Sequence, residues 1–156
     1  MSMAHPPRVS SRSLFVLVSV APMVLALGAC RSEPSMRPDA RALPRGAAQA
    51  EVVNIQVFRK DTTLELTNTT ARNFGPGTLW INGRFSRKID GIAIGQTLVV
   101  SLREFEDEYG DVFRAGGFFA ADPPERVVLT QYEPDGTPAG QAPALVGFIT
   151  VQGLAE

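Results

Sequence analysis

The stretch Thr78-Leu79-Trp80-Ile81-Asn82-Gly83-Arg84-Phe85-Ser86 decides the fold class. Strand-forming residues flank an Asn-Gly pair, and both members of that pair tolerate the positive φ that tight antiparallel turns require. A two-residue turn sets Ile81 opposite Arg84 and Trp80 opposite Phe85. The unit this predicts is a β-hairpin.

Working outward, the same two-residue period recurs on both sides. Val53, Ile55 and Val57 alternate with Asn54 and Gln56, and Leu64 and Leu66 alternate with Thr63, Glu65 and Thr67. Such alternation marks strands buried on one face. Asn68-Thr69-Thr70 and Asn73-Phe74-Gly75-Pro76-Gly77 separate these runs from the hairpin with turn-forming residues. Beyond the hairpin, Leu98, Val100 and Leu102 share a face, Val112–Arg114 is extended, and Glu125–Tyr132 reads as a strand. A proline- and glycine-containing loop over 133–143 precedes a last strand, Ala144–Val151. About seven short strands at spacings of roughly ten residues, with no helix-period stretch, predict an all-β fold. The expected form is an antiparallel β-sandwich of immunoglobulin or fibronectin type III kind, with a small β-barrel as the alternative.

The first fifty residues follow a different logic. Residues 1–13 carry Arg8, Arg12 and His5 but no acid, and residues 14–27 carry no charge. A basic start, an apolar run and small residues at its end read as a secretory signal peptide over 1–29. The run is shorter than the ~20 residues of a membrane span, and Pro22 interrupts it. Its end, Leu27-Gly28-Ala29-Cys30, resembles the lipobox of bacterial lipoproteins. That resemblance implies diacylglyceryl attachment to the Cys30 thiol, removal of the preceding peptide and acylation of the new amino terminus. Arg31, in place of the aspartate that retains such proteins at the inner membrane, implies an outer-membrane destination in a two-membrane cell. Residues 30–50, with three prolines and few bulky apolar side chains, read as a flexible linker carrying the lipidated cysteine. The folded domain is expected over 51–156.

Composition then restricts the chemistry. His5 is the only histidine and Cys30 the only cysteine. Cleavage at Cys30 removes the first, and lipid consumes the second. Serine–histidine and cysteine–histidine catalysis, histidine–cysteine zinc sites and disulfides are thereby excluded from the domain. With Arg8 and Arg12 removed, thirteen basic residues face sixteen acidic ones. No basic excess points to nucleic acid. Beyond the covalent lipid, no cofactor is expected.

Two groups of residues merit weighing as sites. Trp80, Phe85 and Tyr109 would form a platform for stacking sugar rings if they shared an exposed surface, although a tryptophan in a small β-domain usually belongs to the core. Glu104, Glu106, Asp107, Glu108 and Asp111 crowd five carboxylates into eight residues. Hard cations take clustered oxygens, with Glu106, Asp107 and Asp111 as candidate ligands, but the order lacks calcium-loop spacing and suits a solvated connection better. A glycosidase pair would need two carboxyls held across a cleft, which one charged loop does not supply. The expected function is non-enzymatic: a lipid-anchored envelope module that binds another envelope protein, with glycan or peptidoglycan binding through Trp80 as the alternative.

Overall fold

The computed structural model describes residues 37–138 and 140–152; the signal peptide, Cys30 and Arg31 lie outside the described residues. Seven strands form a single sheet: β1 (Ala48–Lys60), β2 (Thr63–Thr67), β3 (Gly77–Ile81), β4 (Phe85–Ile89), β5 (Thr97–Ser101), β6 (Thr130–Pro134) and β7 (Ala144–Val151). Their order is β4-β3-β6-β7-β1-β2-β5. Every neighbouring pair is antiparallel except β1 and β7, which run parallel. The all-β expectation holds. The antiparallel sandwich does not: one mixed sheet curls into a half-barrel.

No second sheet is needed, because long connections fill the concave side. Ile55, Val57, Leu64, Leu66, Leu79 and Ile81 point inward from the strands, and Phe74, Ile92, Leu102, Phe105, Phe113 and Val127 meet them from the segments between strands. Each large apolar side chain fully removed from water contributes about 1.5–3 kcal/mol. The connections therefore supply the layer that the opposite sheet of a sandwich would supply. Phe85 meets Phe113 edge-on at 5.2 Å, and Phe74 meets both Tyr132 and Phe148 in the same manner.

The central hairpin forms with a shifted register. Asn82 and Gly83 both adopt positive φ, 54° and 64°, and the Arg84 N–H donates to the Ile81 carbonyl at 3.1 Å. Ile81 pairs with Phe85 and Trp80 with Ser86, rather than Trp80 with Phe85. Arg84 is left as an extra residue outside the ladder, which frees its side chain for the acidic loop. The Asn82 side chain also replaces part of an expected strand. Its Oδ1 accepts the Val128 N–H at 2.9 Å and its Nδ2 donates to the Arg126 carbonyl at 2.8 Å. With those backbone groups satisfied, the strand expected from Glu125 starts only at Thr130. The extended run expected at Val112–Arg114 is reduced to one bridge between Val112 and Glu106.

Of the segment expected as a flexible linker, residues 37–50 are described, and they lie on the sheet. Ala48–Ala50 open β1, and Arg37–Ala47 cross its convex side as a strap. The Arg37 N–H donates to Glu106 Oε2 at 2.8 Å, the Lys88 N–H donates to Asp39 Oδ2 at 3.1 Å, and Arg41 bonds Ser86, Thr78 and Glu133. The strap is held by polar pairs rather than apolar burial, so its composition resembles that of a linker.

Candidate functional site

The three aromatic residues weighed as a platform do not share a surface, and Trp80 is a buried residue, as its type suggests. Inward-facing positions of β3 are Leu79 and Ile81, so Thr78 and Trp80 project to the convex side, beneath the strap. Trp80 is 0% exposed. Its Nε1–H donates to Glu133 Oε2 at 2.8 Å, and the same carboxylate oxygen accepts Arg41 Nη2 at 2.7 Å. The Arg41 guanidinium stands 5.0 Å from the indole centre. Phe85 is buried on the opposite face of the sheet, and Tyr109 is 77% exposed at the tip of the acidic loop. A sugar-stacking platform needs exposed rings, and Trp80 presents none. Arg41 and Glu133 had no signal in the sequence, since each is an isolated charge until the chain folds.

The acidic stretch closes one edge of the sheet. Leu102–Glu104 makes a single 3₁₀ turn, after which Glu106 exchanges backbone hydrogen bonds with Ser86 of the edge strand β4, at 2.9 and 3.2 Å. Asp107, 2% exposed, accepts the Tyr109 and Asp111 N–H groups on Oδ1, both at 2.9 Å. Its Oδ2 accepts Arg84 Nε and Nη2 at 2.9 and 2.6 Å. Burial pushes this carboxyl upward, but the Arg84 hydrogen bond and the two N–H groups outweigh it and hold Asp107 below the ordinary carboxylate range. Arg84 also reaches Asp111 at 2.8 Å, and Arg87 pairs with Glu104 at 2.8 Å. The candidate cation ligands are thus engaged by protein donors: Glu106 by the Arg37 N–H, Asp107 and Asp111 by Arg84. Among the described residues, no group of three acidic, histidine or cysteine side chains is arranged to hold a metal ion.

The other edge of the sheet is open. Leu102 N–H donates to the Thr62 carbonyl and Asn68 N–H to the Gln96 carbonyl, which fixes the alternation along the β2–β5 ladder. Leu98 and Val100 therefore turn their backbone groups toward β2, and Thr97, Val99 and Ser101 turn theirs outward. No described residue bonds those outward groups. On β4 the equivalent positions are occupied, Ser86 by Glu106 and the Lys88 N–H by Asp39. Beside the open edge the convex face is uncovered: Val99 is 58% exposed and lies across from Glu65, which pairs in turn with Phe58. Thr97-Leu98-Val99-Val100-Ser101 contains no charge, proline or glycine. Those are the devices by which exposed edges normally discourage pairing.

Among the described residues, no helix is long and apolar enough to cross a membrane. No protein-family model, curated protein or solved structure matches the chain.

Proposed function

We propose that this chain is a lipid-anchored envelope module that works by binding, and that it holds another envelope protein by accepting one of its strands along β5. The carrying observation is the contrast between edges: β4 is sealed by Glu106 and Asp39, whereas β5 offers the outward backbone groups of Thr97, Val99 and Ser101. A partner strand added there gains main-chain hydrogen bonds from the edge, and alternate side chains such as Val99 select its sequence. Leu98 and Val100 anchor the strand from the concave side, so the edge is presented without rearrangement. A binding role also accords with the chemistry left in residues 31–156, which contain neither histidine nor cysteine.

The test is a photoreactive residue in place of Val99, introduced in the native host, with adducts identified by mass spectrometry. One protein adduct in high yield is expected. Glycan adducts alone, or none, would overturn the proposal.

A further inference from the structure

Phe118 and Phe119 are each 95% exposed, the most exposed large apolar residues of the described chain. They occupy the corner of a turn closed by the Ala120 N–H on the Gly117 carbonyl, 3.0 Å, and their rings meet edge-on at 4.9 Å. Gly116 and Gly117, with φ of 78° and 112°, turn the chain out of the domain where other residues would be strained. The base of this loop is clamped. Arg59 donates to the carbonyls of Ala115, at 2.6 Å, and Glu125; Arg103 donates to the Gly116 carbonyl at 3.1 Å; and the Glu125 N–H bonds the Arg114 carbonyl at 2.9 Å. Two bare aromatic rings are therefore held out on a fixed support rimmed by Arg59, Arg103 and Arg114; Asp61 stands beside Arg59, Glu125 beside Arg114, and Asp122 follows in the loop.

The place where the strap meets the domain indicates what these rings face. Arg37 donates through its N–H to Glu106 and through Nη1 to the Glu104 carbonyl, at 2.8 and 3.3 Å. Glu104 adjoins Arg103, the residue that grips Gly116. Arg37 lies seven positions after Cys30, a reach of at most about 25 Å. The root of the lipid tether and the Phe118-Phe119 corner thus belong to one end of the sheet. Lipid–water interfaces accept aromatic rings, and arginines beside them meet anionic head groups.

We propose that Phe118 and Phe119 insert into the lipid surface beside the chain's own anchor, so that the domain is docked on the membrane in a set orientation. This rests on lipidation of Cys30. It gives the anchored module a second point of attachment, which orients the β5 edge as well as confining it.

The test uses the purified mature chain with its lipid, in vesicles of phosphatidylcholine and phosphatidylglycerol. Phe118→Trp places an indole at the corner, and Ile94→Trp places one on the exposed β4–β5 connection at the opposite end of the sheet. The spectrum of the wild type, whose Trp80 is buried, is subtracted. The expected result is a blue shift and loss of most of the Phe118→Trp emission when the lipids carry bromine on their acyl chains, with the Ile94→Trp emission unmoved. The mass of the N-terminal peptide reports lipidation separately. An acylated chain whose indole at 118 stays in water, or is quenched no more than the one at 94, overturns this proposal alone. A chain without lipid overturns the anchor reading and this proposal together.

Discussion

The convex face of the sheet is covered over β3, β4 and β6 and bare over β1, β2 and β5. On the covered half, Thr78, Trp80 and Glu133 are all buried beneath Arg37–Ala47, and Arg41 joins them in one hydrogen-bonded group. On the bare half, Asn54, Gln56, Phe58 and Val99 face outward with no strap above them. The edges divide in the same way, β4 sealed and β5 open. Beneath the strap the buried carboxylate and indole N–H find their partners within the chain, as such groups must, while Arg87 of β4 keeps two buried nitrogens, Nε and Nη1, without one among the described residues. The bare half retains unmet backbone groups, and these are the groups that the proposed strand addition would use.

The comparison breaks most directly at Trp80. Trp80→Ala removes a fully buried indole and leaves Glu133 with one donor fewer, a loss expected at about 3–5 kcal/mol. Urea unfolding would measure it, and a loss below about 1 kcal/mol would mean the strap covers the sheet without supporting it. A smaller effect is expected at the sealed edge. The Asp107 carboxyl lies below its ordinary value in the folded chain, so its contribution to stability is present above pH of about 3.9 and is lost as the pH falls through the lowered value. Asp107→Asn should therefore be less stable at neutral pH and lose less stability on acidification than the wild type. Asp39 titrates in the same sense, burial being outweighed by the Lys88 N–H and Arg37, so the slope should shrink rather than vanish. Thermal unfolding at a series of pH values checks this, and an unchanged slope would remove Asp107 from the account. The smallest effect on stability is expected on the bare half. Val99→Lys should leave the unfolding free energy within about 0.5 kcal/mol of wild type while abolishing partner adducts formed from a photoreactive group at Thr97. Retention of those adducts would break the link between the open edge and binding.

The residues show why part of this was legible and part was not. The Asn82-Gly83 turn announced itself because positive φ is a local demand of two neighbouring residues. The extra residue at Arg84 did not, because it depends on Asp107 and Asp111, more than twenty positions away. Trp80 could be judged a core residue by type, but its carboxylate partner Glu133 arrives from β6 and its guanidinium partner from a segment that composition reads as a tether. The acidic stretch advertised charge without revealing that Arg84, Arg87 and the Arg37 N–H would take up most of it. Val99 gave no sign of being special, since its neighbours alternate like those of any strand.

By itself the sequence determined the all-β class, the inward-facing members of β1, β2 and β5, the central turn, and a catalytic repertoire without histidine or cysteine beyond Cys30. These follow from chain geometry and side-chain chemistry, which act over a few residues. Only the tertiary structure decided that β1 lies beside β7 in parallel, that one sheet curls over its own connections, that Arg37–Ala47 covers one half of the convex face, and that β5 is left at an open edge. Period-two alternation records that a strand has a buried face, but neither its neighbour nor its cover. Those depend on contacts between residues far apart in the chain, which are settled only when the whole sheet closes.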